Sequence, residues 1–276
     1  MKKILLPALL FVLAMLSACN VDSFLFNEKK ISSYSLPGNT IPEENIRQVT
    51  FNSEGNKLYG YWVSAVDSLR GLTILYCHGN KHNIDNYWDR VMFLYDLGVN
   101  IFIFDYRGFG LSEGAASEQG LYRDGDAALH YVLEEMKVPA DSLCLYGYSL
   151  GNVVSIYLAA TRINPLALIA EAPFASANSL TQSGVGLDLP AGWLTKGDFD
   201  NAEKIRYIHT PLLLLHGAND DFVRYRDNGR VVYQNAPQPK AMYLIEGANH
   251  TDIPQIMGLL KYRQVLQEWI DNCLNR

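Results

Sequence analysis

A serine flanked by glycines, Gly147-Tyr148-Ser149-Leu150-Gly151, directly follows the apolar run Leu143 to Tyr146 and precedes a helix-forming stretch. A strand, a sharp turn and a helix in that order thrust a serine hydroxyl out at the end of a sheet, and glycines two residues to either side let strand and helix approach closely. Ser149 is therefore the candidate nucleophile. A serine hydroxyl is a weak nucleophile at neutral pH, so it needs a neighbouring base, usually a histidine whose tautomer a carboxylate fixes.

The chain offers six histidines. His130 falls in a predicted helix, His82 in a loop, and His209 before a strand, where each reads as a solvated or packing residue. His78 and His216 end predicted strands beside glycines. His250, in Glu246-Gly247-Ala248-Asn249-His250, lies between the last predicted strand and the final helix and is the chosen base. Candidate carboxylates follow the buried run Leu212 to Leu215, in His216-Gly217-Ala218-Asn219-Asp220-Asp221, and spacing alone leaves Asp220 and Asp221 both open.

The elements that must position these residues repeat as strand, turn and helix. Arg47 to Asn52 and Lys57 to Ser64, joined by Ser53-Glu54-Gly55-Asn56, predict a hairpin of antiparallel edge strands. Short apolar runs then alternate with amphipathic segments: Leu72 to Cys77, Asn100 to Asp105, Ser142 to Tyr146, Leu166 to Ala170, Pro211 to His216 and Met242 to Glu246. This alternation predicts an α/β fold with a mostly parallel, buried, twisted sheet. Helices are expected at Asn86 to Leu97, Glu118 to Lys137, Leu150 to Arg162, Arg224 to Asn235 and Asp252 to Leu274, covering both faces. One connection, about 173–209, is longer than a crossover requires and reads as a small cap. Its Leu180, Val185, Leu187, Leu189, Trp193 and Leu194 could line an acyl pocket or pack the cap onto the sheet.

His78-Gly79-Asn80, then Asp105-Tyr106-Arg107-Gly108-Phe109-Gly110 with Ser112 and Gly114, then the serine turn, resemble the abhydrolase-domain esterases and thioesterases of the α/β-hydrolase superfamily, over roughly residues 46–272. The chain order Ser149, Asp220, His250 agrees with the order in that fold. The resemblance implies Asp220 rather than Asp221, because many such proteins carry H-G-x-x-D at this point. It also implies an oxyanion hole from the backbone N–H groups of Leu150 and Asn80. His78 is then structural, and Asp105 to Gly110 shapes a loop, with Arg107 still open to an anionic substrate. Where relatives read H-G-N-A-G-N, this chain has Lys81-His82-Asn83, so access to an acyl pocket could differ. The implied activity is ester or thioester hydrolysis through an acyl-enzyme, without a cofactor. A peptidase or amidase, acyl transfer to an acceptor other than water, and a non-catalytic surface binding module remain alternatives.

The N-terminus carries Lys2 and Lys3, an apolar run from Ile4 to Leu16, and Leu16-Ser17-Ala18-Cys19. The run is short of the roughly 20 residues that span a bilayer, so it reads as a signal peptide, residues 1–18. Leu16-Ser17-Ala18-Cys19 resembles the lipobox of bacterial lipoproteins, which implies lipidation of Cys19 and attachment to a membrane; an ordinary cysteine near a cleavage site is the plainer alternative. Residues 19–40 read as a tether and 41–276 as one domain. Asn20 after the cysteine, by the same resemblance, favours the outer membrane of an organism with two.

The apolar content of 49% suits a globular α/β domain. A formal charge of −6, without any Lys/Arg run, makes nucleic acid a poor partner. Cys77, Cys144 and Cys273 have no CxxC spacing and read as buried thiols rather than metal ligands. The sequence leaves the substrate and the oligomeric state open.

Overall fold

The computed structural model describes residues 26–65, 71–184 and 197–276. In chain order its strands are β1 (Asn27–Glu28), β2 (Ile46–Ser53), β3 (Asn56–Val63), β4 (Thr73–Cys77), β5 (Lys81–His82), β6 (Asn100–Phe104), β7 (Leu143–Tyr148), β8 (Ala167–Glu171), β9 (Leu212–Gly217) and β10 (Lys240–Ile245). The helices are α1 (Trp88–Tyr95), α2 (Glu118–His130), α3 (Gly151–Thr161), α4 (Ala177–Gly184), α5 (Asn201–Lys204), α6 (Gly229–Asn235), α7 (Ile253–Met257) and α8 (Leu259–Leu274).

Eight strands form one sheet in the order β10-β9-β8-β7-β4-β6-β3-β2. All pairings from β10 to β6 are parallel, while β3 runs antiparallel to both β6 and β2. The predicted hairpin is present, its turn at Glu54 and Gly55 with φ of 50° and 87°, the double positive φ of a two-residue turn whose twist matches the strands. Of the two hairpin strands, both expected at the edge, β2 alone lies there, because β3 is paired on both sides.

The central strands are apolar without alternation because both sheet faces are covered. Leu75, Phe102, Leu145, Leu168 and Leu214 enter one core, and Ile74, Ile101, Tyr146, Ile169 and Leu213 the other, as the two-residue period of a strand requires. Val153, Ile156 and Leu158 of α3 and Leu121 of α2 close the first core. Trp88, Val91 and Leu94 of α1, with Tyr262, Leu266 and Ile270 of α8, close the second. Chain progress reverses at β4, since β6 pairs on one side of it and β7 on the other. A crevice at the carboxyl ends of strands opens at such a switch point.

Several boundaries differ from the sequence expectation. The helix over 118–137 is α-helical only to His130 and continues as a wider turn, Tyr131–Glu135. The segment from Arg224 becomes helical only at Gly229, and the last helix breaks at Gly258, whose φ is 85°. The expected tether is, from Phe26 on, packed on the domain: Phe26 is buried, β1 pairs with β5 in parallel, and Tyr34 donates a 2.6 Å hydrogen bond to Asp105. Of the expected cap, α4 and α5 are described, whereas Val185, Leu187, Leu189, Trp193 and Leu194 lie outside the described residues, as do the N-terminal signal and Cys19. Among the described residues no helix is long and apolar enough to cross a membrane. Cys77, Cys144 and Cys273 are buried free thiols, and burial pushes Cys144 up to about 12.

Candidate active site

Ser149 sits at the end of β7 with φ 50°, a left-handed conformation that costs a non-glycine residue of order 1–3 kcal/mol and persists only where the surroundings enforce it. Three contacts do so. Ser149 N–H donates to Glu171 O at 3.0 Å. Asn152 Nδ2 donates both to Ser149 O at 3.1 Å and to Glu171 O at 2.9 Å. At Gly151 a Cβ would stand 1.8 Å from Cys77 O, so any side chain there would force α3 away from β4. The expected close approach of helix and strand is what the turn depends on.

Asp220 follows β9 and is 4% exposed. Its Oδ1 accepts the N–H groups of Phe222 at 3.1 Å and Val223 at 2.7 Å, which leaves Oδ2 directed at His250 Nδ1, 2.7 Å away. The other ring nitrogen, His250 Nε2, lies 2.9 Å from Ser149 Oγ. Asp221 is exposed and has no part in this chain of contacts, so burial separates two aspartates that spacing left equal. The His250 loop is fixed by Tyr148 OH, which donates to His250 O at 3.1 Å, and by Asn219 N–H, which donates to Ala248 O at 2.9 Å.

His216 lies beneath Asp220, its Nε2 2.8 Å from Val223 O and 3.5 Å from Asp220 Oδ2. Burial lowers its pKa below the ordinary 6.5, so the ring is neutral and donates to the Val223 carbonyl. His78 is fully buried, stacked on Tyr87 at 4.9 Å, with Nε2 3.0 Å from Asp105 Oδ1. Asp105 in turn accepts from Tyr34 and from Ile84 N–H at 3.0 Å, a role in shaping loops. Arg107 does not face the site. It grips Asp124 through Nε and Nη2 at 3.0 and 2.8 Å and reaches Ser53 at 3.1 Å, so its expected availability to an anionic substrate is corrected by burial and pairing.

Two recesses meet at Ser149. A narrow cavity of about 70 Å³ is bounded by Phe26, Leu150, Phe174, Leu180, Phe199 and Phe222. A broader cleft of about 510 Å³ is bounded by Lys81, Asn86, Asp89, Arg90, His250 and Thr251. Asn80 and Phe222 border both. Lys81 therefore faces the polar cleft and leaves the apolar cavity unobstructed. Asn83, which matches the last residue of the relatives' H-G-N-A-G-N, caps the short turn Ile84–Tyr87 by accepting from Asp85 N–H at 2.9 Å.

The sequence reading missed Glu171, Arg90 and Phe26. Glu171 was visible as a charge ending an otherwise apolar strand, but its partner Arg90 lies on a distant helix. Phe26 ends the short apolar run Phe24-Leu25-Phe26, just ahead of polar residues, with nothing local to tie it to the site. Among the described residues no cluster of His, Cys, Asp or Glu could hold a metal ion.

The family model described as serine aminopeptidase, S33, matches residues 70–197. The uncharacterized protein YfhR of Escherichia coli is 28% identical over 279 residues, covering 98% of this chain and 96% of that protein. The α/β-hydrolase domain-containing protein aho-3 of Caenorhabditis elegans is 32% identical over 185 residues, covering 66% of this chain and 53% of that one. Among solved structures, an esterase of Pyrococcus furiosus superposes with a TM-score of 0.72 at 19% identity, covering 90% of this chain and 97% of that one. With the topology and the switch point described above, these matches show that the chain has the α/β-hydrolase fold.

Proposed function

We propose that the protein is a serine hydrolase that cleaves carboxylic ester or thioester bonds through an acyl-enzyme on Ser149. The observation that carries this reading is the continuous contact from Ser149 Oγ through His250 to Asp220, at 2.9 and 2.7 Å; the family match and the fold support a hydrolase more broadly.

In the first step Ser149 Oγ attacks the carbonyl carbon as its proton passes to His250 Nε2, and Asp220 steadies the resulting imidazolium. The negative charge on the former carbonyl oxygen is met by the N–H groups of Leu150 and Asn80. One such donor is typically worth about 10²–10³ in rate. His250 then protonates the departing alcohol or thiol as its bond to the acyl carbon breaks. Water, deprotonated by His250, repeats the sequence and releases the acid and the free serine. Because His250 must reach the leaving group, that group occupies the polar cleft that His250 borders, and the acyl chain occupies the apolar cavity beside Leu150. The substrate class is thus a small acyl group on a larger, polar leaving group.

A fluorophosphonate probe tests this directly: labelling of the wild-type chain, lost in Ser149→Ala and in His250→Ala, is expected. No labelling of folded wild type would leave a binding module. The description of the matching family favours a second reading, hydrolysis of an N-terminal peptide bond, with Asp89 in the cleft available to a free amine. Faster turnover of aminoacyl anilides than of matched esters would select it. Lipidation of Cys19 and attachment to a cell-envelope membrane are proposed from the N-terminal motif; Cys19→Ser is expected to release the chain from membranes with turnover intact.

A further inference from the structure

Resting on the hydrolase reading, we propose that the N-terminal arm, residues 26–36, is a working part of the active site: Phe26 sets the acyl length the cavity accepts, and the backbone of Asn27 holds the oxyanion loop in place.

Phe26 is 4% exposed. Its ring stands 6.2 Å from Phe199, which stands 6.2 Å from Phe174, so three aromatic rings from distant parts of the chain form one wall of the apolar cavity. The cavity's volume of about 70 Å³ is about half the roughly 150 Å³ at which an apolar cavity takes up benzene. A chain of a few carbons fits; a longer one meets the Phe26 ring.

The next residue acts on the loop that carries the second oxyanion donor. Asn27 N–H donates to Asn80 Oδ1 at 2.9 Å, and β1 pairs residue for residue with β5, Asn27 with Lys81 and Glu28 with His82. Lys29 N–H extends the pairing to His82 O at 3.3 Å. The arm is held in turn by the loop after β6, where Gly110 N–H donates to Lys29 O at 3.0 Å and Ile31 N–H to Gly110 O at 3.3 Å. Farther along, Asp85 accepts the N–H groups of Ser35 and Leu36 at 3.0 and 2.9 Å. The pairing holds the backbone of Lys81 and His82 while Asn27 N–H holds the Asn80 side chain, so the Asn80 N–H just before them is steadied from both, and a donor fixed before charge develops costs nothing to reorganise when it does. Asn27 is therefore a positioning residue, and Phe26 a specificity-determining one.

The test is a series of p-nitrophenyl esters, acetyl, butyryl, hexanoyl and octanoyl, with the full chain in detergent. Phe26→Ala is expected to raise the hexanoyl-to-acetyl ratio of kcat/KM about tenfold or more, since each methylene accommodated is worth at least that order. Phe26→Trp is expected to lower the same ratio and reads the wall even if the alanine variant fails to fold. Asn27→Pro, which deletes the N–H, is expected to reduce kcat about tenfold or more with KM little changed, the signature of a contact felt only in the transition state. Ratios unchanged in the active Phe26 variants, or an Asn27→Pro effect confined to KM, overturn the proposal while leaving the hydrolase intact. A folded wild type that neither turns over these esters nor labels with fluorophosphonate removes the hydrolase reading and the proposal together.

Discussion

Arg90 Nη2 lies 2.8 Å from Glu171 Oε1, a buried ion pair directly behind the serine turn. The same glutamate serves the site twice. Its carbonyl accepts Ser149 N–H, while its carboxylate also accepts from Tyr262 OH at 2.8 Å and from Tyr146 OH. Burial raises the pKa of both tyrosines well above the ordinary value, so each keeps its proton and donates. Burial opposes the charge on Arg90, but Glu171 together with Tyr148, Tyr76 and Tyr146 outweighs it, and the guanidinium stays protonated. Arg90 further lies 4.0 Å over the ring of Tyr148, the residue that holds His250 O. The network thus joins the turn of Ser149 to the loop of His250.

Removing one partner of a buried pair leaves the other charge uncompensated, at a cost of about 3–5 kcal/mol. Arg90→Met and Glu171→Gln are each expected to lose stability on that scale in urea unfolding. The double variant is expected to lose less than the two single losses together, because the orphaned charge is then absent. Additive losses would show that the pair is not the unit.

Asp220→Asn is expected to lower kcat by about 10⁴-fold, since the amide no longer fixes the imidazole in the tautomer that accepts the serine proton. Asp221→Asn, one residue away and exposed, is expected to stay within about twofold, as surface changes away from such contacts usually do. Steady-state kinetics on one ester measures both. Equal losses would mean that the carboxylate beside His250 has been misidentified.

Gly217→Ala separates geometry from stability. A Cβ at Gly217 would stand 2.5 Å from Ala248 O and 2.6 Å from Asn249 O, so the loop that ends in His250 must move. A displacement near 1 Å at a catalytic group costs on the order of 10²-fold, whereas local overpacking costs about 1–3 kcal/mol. The expected variant is folded by circular dichroism and about 10²-fold slower. A variant of wild-type activity would show that the loop tolerates the shift.

What the sequence made legible follows from what is local. The strands β4 and β6 to β9 were readable because burial on both faces confines polar residues to the ends of short apolar runs, and Ser149 because its turn needs glycine within two residues. His250 was readable from its place between the last strand and the last helix. Glu171 and Arg90 were not, since each is an isolated charge whose meaning is the other, 81 positions away. The arm was read as a tether because it follows the lipobox-like cysteine; its order comes from backbone pairing and from Phe26 and Tyr34, anchors too widely spaced to leave a period. Gly258 was a visible helix breaker that the amphipathic pattern on either side concealed.

His216 supplies the pH dependence. Burial holds its folded pKa below the ordinary 6.5, so between 6.5 and that lower value the unfolded chain binds a proton that the folded chain refuses. Stability then rises with pH through this window and falls as pH drops through it, with a slope of at most about 1.4 kcal/mol per pH unit from this one group. Above 6.5 the two states bind the proton equally little and the contribution is flat. His216→Gln, which retains an N–H donor for Val223 O, is expected to be less stable than wild type at pH 7.5, because its shape no longer fits against Gly229, yet to lose less stability on going to pH 5. Urea unfolding at pH 7.5, 6.5, 5.5 and 5.0 measures the two slopes. Parallel curves would place the acid sensitivity elsewhere, among the carboxylates, and would show that His216 takes up its proton within the folded state.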